Sequence, residues 1–338
     1  MTEVVIGIDV GGTTIAAGLV TPAGEVIEER RVPAEPAARA TLATIESLID
    51  GLKRRAGDRT VRGIGVGVPG PVDAGSVSAD VPHAPDLADR PLADLLRARF
   101  ALPAYVDNDV NALALGEWRF GSGRGLRSLV VLAPGTGFGC GIILEGRLVR
   151  GVNGFGGEFG HTPVKFDGPP CWCGGRGCLA IYASGRGIAE AAQARVAGDP
   201  AAPLVIAAGH TEAITAALVF RLATAGDPVA VAVVHEACRA LGAIIATMVN
   251  GLNPEAVVVT GGVAESLVAL EKRILAAAGE YAFPRALAAA RVTIVPADKR
   301  TTMRGAAALV LYETESASGR ASQRDAPRGD GPAGPEGG

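Results

Sequence analysis

The sequence has no excess of positive charge and no long apolar run. Its 32 Lys and Arg residues face 35 Asp and Glu residues, for a net charge of −3, and the arginines are scattered. Nothing in this balance favours nucleic acid or an anionic membrane as a partner. The longest apolar run, between Arg239 and Asn250, is too short to cross a bilayer. Because no basic and apolar leader opens the chain, we expect a cytoplasmic protein without a signal peptide.

Cysteine is scarce, with five residues in 338, yet three of them share one loop with a histidine. In a reducing compartment, clustered thiols indicate metal binding rather than disulfides. A Cys₃His set suits a closed tetrahedral structural Zn²⁺ site. Unliganded thiols are the alternative, and a catalytic zinc is disfavoured because protein ligands fill all four positions. Zinc on one ring nitrogen of the histidine would orient the other toward substrate. The candidate ligands are His161, Cys171, Cys173 and Cys178.

Two common nucleotide-binding motifs are missing. The chain contains no G-x-x-x-x-G-K-[ST], which excludes a P-loop, and its first strand leads into a hairpin rather than into G-x-G-x-x-G and a helix. The chain does contain a strand–turn–strand unit, Val4 to Val20, which is followed by a third strand and recurs around Gly135 to Gly137. This repetition predicts an α/β protein built from two related halves that face one another.

Three glycine turns follow buried strands and are candidates for phosphate binding. Glycine lets the backbone approach a phosphate chain closely, and the turn supplies N–H and hydroxyl donors. Each turn alone could be an ordinary hairpin, but three in one chain favour phosphate. Asp9, beside the first turn, fits a Mg²⁺–phosphate site, although an ordinary turn aspartate is the alternative. The candidate ATP- and phosphate-binding residues are Asp9, Gly11, Gly12, Thr13, Thr14, Gly135, Thr136, Gly137, Gly261 and Gly262.

A second group of residues is typical of a sugar pocket. Asp109 lies between a short strand and a helix, where it could be a helix cap or the general base of a phosphoryl transfer to a hydroxyl. Glu158 and His161, in G-G-E-F-G-H, offer a carboxylate and a ring nitrogen to sugar hydroxyls. Gly70 ends a buried strand and could present backbone N–H groups to the same pocket.

Together these motifs resemble the ROK family (repressors, open reading frames and sugar kinases) over roughly Val4 to Tyr312. The resemblance is carried by D-V-G-G-T-T, A-P-G-T-G-F-G-C-G, V-V-V-T-G-G-V-A, V-D-N-D-V-N-A-L-A-L-G-E and G-G-E-F-G-H with C-W-C-G-G-R-G-C-L. It implies the actin-like, ribonuclease H-like fold, with two lobes around a central cleft, and a homodimer. It also implies Asp109 as general base, His161 and three cysteines as zinc ligands, and sugar contacts from Asn108, Glu158 and His161.

The expected domain organisation follows from the same resemblance. A smaller N-terminal lobe would comprise residues 1–118 and about 301–314. A larger C-terminal lobe would comprise 119–300 and carry the zinc loop 161–178. Residues 315–338 contain no apolar residues suited to a core, which predicts a disordered tail.

Two positions depart from the family pattern. Family sugar kinases usually read G-C-L-E after the last zinc cysteine, where the glutamate accepts hydrogen bonds from the sugar; this chain has Ala180. Asp86 stands where A-P-N-L is usual. Loss of one charged acceptor would weaken sugar binding by about 1.5–3 kcal/mol, unless the substrate lacks or modifies that hydroxyl.

The leading hypothesis is an ATP- and Mg²⁺-dependent kinase that phosphorylates the 6-hydroxyl of a hexose, with glucose as the first candidate. A kinase for a modified hexose, such as an amino sugar or a cyclitol, is the alternative. A non-catalytic sugar-binding protein and a sugar-responsive repressor are further alternatives. The family's repressors carry a helix-turn-helix domain before the first phosphate strand. Here that strand begins by Val4, so we disfavour the repressor. The sequence leaves the donor, ATP or polyphosphate, open.

Overall fold

The computed structural model describes residues 2–35, 37, 39–73, 76–77, 81, 84–298 and 300–324, with side chains through residue 316. The central strands are apolar and buried along nearly their whole length, whereas the helices bury residues at helical spacing. The strands are β1 (Glu3–Val10), β2 (Thr14–Val20), β3 (Val26–Pro33), β4 (Thr60–Val68), β5 (Val72–Asp73), β6 (Ser76–Val77), β7 (Ala104–Asn108), β8 (Leu129–Pro134), β9 (Phe138–Leu144), β10 (Arg147–Leu148), β11 (Ala256–Val259) and β12 (Arg291–Ile294). The helices are α1 (Thr41–Ala56), α2 (Leu92–Phe100), α3 (Asp109–Phe120), α4 (Ala180–Ala183), α5 (Gly185–Val196), α6 (Pro203–Ala208), α7 (Ala216–Thr224), α8 (Pro228–Leu252), α9 (Ala264–Val268), α10 (Glu271–Tyr281), α11 (Pro284–Ala289) and α12 (Thr301–Arg324).

Two five-stranded sheets share one topology. The first has the order β3-β2-β1-β4-β7 and the second the order β10-β9-β8-β11-β12. In each sheet the first three strands form an antiparallel meander, and the last two strands run parallel to the first. The predicted repetition of two related halves is therefore confirmed. The first sheet lies within residues 1–118 and the second within 119–300, while the lobe boundaries themselves stay predictions.

Helices α3 and α12 pack between the two sheets, and glycines allow the close approach. A Cβ on Gly65 of β4 would lie 1.8 Å from the carbonyl oxygen of Ala306 in α12. A Cβ on Gly305 would lie 2.1 Å from the carbonyl oxygen of Ala112 in α3. On the other side, a Cβ on Gly141 of β9 would lie 2.5 Å from the Cβ of Ala114. Helix α3 thus touches both halves, and its first residue, Asp109, lies at their junction.

Helix α8 lies in the hydrophobic core of the second half, with residues of β8, β9 and β11. The carboxylate of Asp227 accepts a hydrogen bond from the Ala230 N–H at 2.8 Å, and Pro228 occupies the first turn. By length and composition α8 could cross a membrane, but most of its apolar stretch is buried inside the protein. A buried core helix passes the same test, so this is weak evidence for a membrane.

Helix α12 runs past the predicted start of the tail. The tail expected from residue 315 starts as helix, because α12 continues to Arg324. Extending a helix that is already anchored costs little, and Arg119 of α3 pairs with Glu315 at 2.6 Å. Residues 325–338 lie outside the described part, and the disordered tail stays a prediction.

Candidate active site

The segment Asn108–Asp109 joins the end of β7 to the start of α3. The Asn108 side-chain oxygen accepts hydrogen bonds from the N–H groups of Val110 (2.9 Å) and Asn111 (3.2 Å), so Asn108 is the helix cap. Its amide nitrogen donates to the carbonyl of Gly70 at 3.1 Å, which places Gly70 beside this segment. One oxygen of Asp109 accepts from the Val110 N–H at 2.9 Å. Asp109 is therefore not the main cap of α3, and its carboxylate is free to serve another role.

Two other carboxylates act on Asp109 at the junction of the halves. Burial raises the pKa of Asp109 to about 7, and the negative charges of Asp9 and Glu158 raise it as well. Burial also raises the pKa of Asp9 to about 6, against a hydrogen bond from Thr302 and the charge of Arg31. The structure thus brings together residues from β1, α3 and the loop after β10. A carboxylate with a pKa near 7 is well matched to general-base catalysis, and the clustered negative charge favours a cation.

The first glycine turn lies directly beyond Asp9. Asp9 pairs with Gly67 of β4, and a Cβ on Gly67 would lie 3.3 Å from the Cα of Asp109, so β1, β4 and the start of α3 meet here. The turn closes through a hydrogen bond from the Gly11 N–H to the Thr14 carbonyl at 3.0 Å. Its tip, Gly12 and Thr13, is exposed. The turn is therefore accessible to a ligand beside the carboxylates.

The second and third glycine turns lie against each other. The Val263 N–H donates to the carbonyl of Pro134 at 2.9 Å, and a Cβ on Gly261 would lie 2.6 Å from the same oxygen. The Gly185 N–H, at the start of α5, donates to the carbonyl of Gly135 at 2.8 Å. The two turns and the N-terminus of α5 therefore form one site, in which Thr136, Gly137 and Gly262 are exposed.

Glycines let the loop that carries Glu158 pack closely against the backbone of other segments. A Cβ on Gly157 would lie 2.3 Å from the carbonyl oxygen of Cys140, and one on Gly160 would lie 2.1 Å from that of Phe138, both in β9. A Cβ on Gly154 would lie 2.1 Å from the carbonyl oxygen of Val72, in the first half. The loop therefore spans the two halves, and its Glu158 side chain is exposed at their junction.

The Cys/His cluster has the spacing of a tetrahedral metal site. The Sγ atoms of Cys173 and Cys178 are 3.8 Å apart, and Cys171 Sγ lies 3.6 Å from His161 Nδ1. All four donor atoms lie within 4.8 Å of one another. A metal with bonds of about 2.3 Å to sulfur separates its thiolates by about 3.8 Å, so these residues could hold one metal ion. Because Nδ1 faces the cysteines, Nε2 of His161 points away from the cluster.

The two departures from the family pattern have different structural settings. Ala180 begins α4 directly after the cluster, is 1% exposed and belongs to an apolar cluster with Phe138. Its methyl group is therefore buried and supplies no hydrogen-bonding group. Asp86 accepts a hydrogen bond from the Leu42 N–H at 3.1 Å, at the start of α1, whose own cap position, Ala40, provides no side-chain bond. Asp86 thus caps a helix 44 residues away in sequence.

Sequence reasoning missed three residues around this site. Thr302 of α12 hydrogen-bonds the Asp9 carboxylate. Asp107 is buried, and Arg150 pairs with it at 2.6 Å. The signal for Asp107 was an acidic residue inside an apolar strand, since such a residue needs a partner when it is buried. The identity of that partner could not be read from the sequence.

Comparisons with known proteins agree with these motifs. The ROK family model matches residues 5–313. A glucokinase from Halalkalibacterium halodurans is 38% identical over 290 residues, which are 83% of this chain and 86% of that protein. An N-acetylmannosamine kinase from Shigella flexneri is 32% identical over 277 residues, 80% of this chain and 88% of that protein. The ROK family glucokinase from Streptomyces griseus, solved with glucose and AMPPNP, matches with a TM-score of 0.71 and 33% identity over 90% of this chain and 98% of its own. The resemblance is confirmed: the chain belongs to the ROK family and has its actin-like ATPase fold.

Proposed function

We propose that the chain is an ATP-dependent sugar kinase that transfers the γ-phosphate of ATP to the 6-hydroxyl of a hexose, with glucose as the first substrate to test. The observation that carries the proposal is the position of Asp109. Its carboxylate lies at the junction of the two halves, beside Asp9 and Glu158, with a pKa raised by burial to about 7. The likeness to two glucokinases supports the same function.

In the proposed reaction Asp109 accepts the proton of the sugar hydroxyl while that oxygen attacks the γ-phosphorus. The bond between the γ-phosphorus and the bridging oxygen breaks, and ADP leaves. The exposed donors of the three glycine turns would hold the phosphates. Asp9 would hold Mg²⁺, which neutralises developing charge on the phosphate oxygens when it is bound.

The sugar would be oriented from both halves. Glu158 would accept hydrogen bonds from its hydroxyls, and the Asn108 amide and the Gly70 backbone would contact it from the first half. The four-residue cluster would hold a structural Zn²⁺, which fixes the His161 ring so that Nε2 faces the sugar. The metal's role is then to position a ligand, because protein donors fill its coordination sphere.

A second candidate is a kinase for a modified hexose, and Ala180 favours it. Its side chain is enclosed in apolar surroundings, so the sugar would meet no carboxylate at this point. A substrate that lacks or alters the corresponding hydroxyl would lose nothing there. Relatives include both a glucokinase and an N-acetylmannosamine kinase at similar identity, so identity alone does not choose between substrates.

The first experiment measures ADP release with Mg-ATP against glucose, mannose, N-acetylated hexosamines, 3-amino-3-deoxyglucose and a carbocyclic hexose analogue. The variant Asp109→Asn is the negative control. Turnover on glucose that disappears in this variant supports a glucokinase. Preference for a modified ring supports the second candidate. Absence of turnover across the panel, with folded and metal-loaded protein, contradicts both kinases and favours a non-catalytic binding protein.

Ala180→Glu tests the specificity argument directly. Restoring the acceptor lowers the KM for glucose by about tenfold if the missing hydrogen bond is the cause, the equivalent of about 1.4 kcal/mol. Ala180→Leu is the control that fills the same space without an acceptor, and it should not lower this KM. Equal effects of both changes would show that volume, not hydrogen bonding, governs the position.

We further propose a cytoplasmic homodimer that acts on small molecules rather than on nucleic acid or membranes. The net charge of −3 offers no basic surface for DNA, and α8 is largely buried. Sedimentation at assay concentrations tests the assembly. A monomer that is fully active would contradict the dimer.

A further inference from the structure

Arg150 makes two short ion pairs where the two halves meet. Its Nε lies 2.6 Å from an oxygen of Asp107 at the end of β7, and its second terminal nitrogen lies 2.6 Å from an oxygen of Glu313 in α12. Burial lowers the pKa of Arg150, but Asp107 and Glu313 raise it more, so the guanidinium stays protonated. The guanidinium also lies over the ring of Tyr312, 5.8 Å from its centre. One side chain therefore joins β7 to α12.

Asp107 in turn holds the segment Asn108–Asn111, which contains Asp109. Its side chain is 3% exposed, and the oxygen not facing Arg150 accepts from the Asn108 N–H at 2.8 Å and from the Asn111 amide at 2.9 Å. Asn108 and Asn111 flank Asp109, the proposed base. The orientation of Asp107 thus sets the path of the backbone that carries Asp109.

The backbone of Arg150 holds the other side of the pocket. Its carbonyl accepts a hydrogen bond from the Gly156 N–H at 2.7 Å, which closes the loop leading to Glu158. Two residues earlier, the Leu148 N–H donates to the hydroxyl of Tyr312 at 3.0 Å, which fastens β10 to α12. Arg150 therefore lies at the start of the loop that carries Glu158, while its side chain reaches β7, the strand that leads into Asp109.

We infer that Arg150 is a positioning residue that fixes the proposed base, Asp109, relative to the proposed sugar acceptor, Glu158. This inference rests on the proposed kinase function. Phosphoryl transfer depends on the alignment of the hydroxyl with the base, and a displacement of about 1 Å can reduce the rate by about 100-fold. Lysine cannot replace Arg150 fully, because a single ammonium does not span two carboxylates as the planar guanidinium does.

The experiment compares Arg150→Gln and Arg150→Lys with a control, Arg119→Gln. Arg119 pairs with Glu315 and also joins α3 to α12, but it lies in the last turn of α3, at the opposite end of the helix from Asp109. For Arg150→Gln we expect kcat to fall about 10- to 100-fold and the KM for sugar to rise at least fivefold. The KM for ATP should change less than twofold, because the glycine turns are held by other contacts. Arg150→Lys should recover part of this loss, and the control should keep both KM values.

Several outcomes would overturn the inference. If Arg150→Gln lowers kcat alone, with both KM values unchanged, the loss reflects a smaller active fraction rather than a displaced site. If Arg150→Gln does not fold, Glu313→Gln keeps the test open: it leaves the Asp107 pair intact and should raise the sugar KM in the same pattern by a smaller factor. An unchanged sugar KM in that variant refutes the inference.

Sugar binding provides a readout other than turnover. The rise in Tm on adding the preferred sugar should shrink in Arg150→Gln and stay unchanged in Arg119→Gln. A wild-type chain without turnover on any sugar refutes the proposed function. Normal wild-type turnover with identical sugar KM and sugar-induced Tm shift in Arg150→Gln refutes only the role of Arg150.

Discussion

Replacing Asp109 by asparagine should stop turnover and at the same time stabilise the folded chain. In the folded state burial and the charges of Asp9 and Glu158 raise the pKa of Asp109 from 3.8 to about 7. Between these values the unfolded chain loses the proton while the folded chain keeps it. Folding stability therefore falls as the pH rises through this window, by about 1.4 kcal/mol per pH unit, and stays lowered above pH 7.

The magnitude follows from the width of the window. About three pH units give an upper value of about 4 kcal/mol, which we reduce to about 2–3 kcal/mol because Asp109 is partly open to water in the cleft. The amide introduced by Asp109→Asn cannot ionise, and its oxygen could still accept the Val110 N–H. At pH 8 the variant should gain about 2–3 kcal/mol, or roughly 3–4 °C in Tm for a chain of this length. Its kcat should fall at least 100-fold.

Thermal unfolding from pH 4.5 to 8, without sugar, nucleotide or Mg²⁺, measures the stability, and ADP release measures kcat. The gain in Tm should vanish toward pH 4. Asp227→Asn is the matched control, because Asp227 also bonds a helix N–H but lies outside the carboxylate group. A gain that is independent of pH, or no gain at all, refutes the argument from burial. Retained turnover in Asp109→Asn refutes its role as base.

Three further predictions concern the same site. The value of kcat/KM for the sugar should rise with pH through about pH 7, measured from pH 5.5 to 8.5, because Asp109 must lose its proton; a flat profile would contradict this. Cys178→Ser should lower the zinc content measured by atomic emission from about one per chain and raise the sugar KM several-fold, whereas unchanged metal content would count against the cluster. Gly154→Ala should lower the free energy of unfolding, measured in urea, by more than about 1 kcal/mol. The reason is that φ is +77° and the added Cβ would lie 2.1 Å from the Val72 carbonyl oxygen. Gly198→Ala, with φ of +81° but open space, is its control for backbone strain alone and should cost less.

Local signals in the sequence predicted much of the fold. Asp227 and Pro228 are residue types that favour a helix start, and α8 begins there, because capping depends on residues a few positions apart. The meander at the N-terminus and its recurrence near Gly135 were readable because strands and tight turns leave short-range patterns. The Cys/His spacing likewise predicted a cluster of ligands, since the four residues lie in one loop. All these features depend on residues that are close in the chain.

The tertiary structure decided what depends on distant segments. Only the fold brings Asp9, Asp109 and Glu158 together, and the pKa of Asp109 follows from that meeting, because burial and neighbouring charges act through space. The structure likewise assigned the cap of α3 to Asn108, the cap of α1 to Asp86 and the partner of Asp107 to Arg150. Thus the sequence by itself determined the family, the repeated halves and the candidate residues. Which of those residues cap a helix, pair with a charge or carry a displaced pKa was decided by packing between segments far apart in the chain.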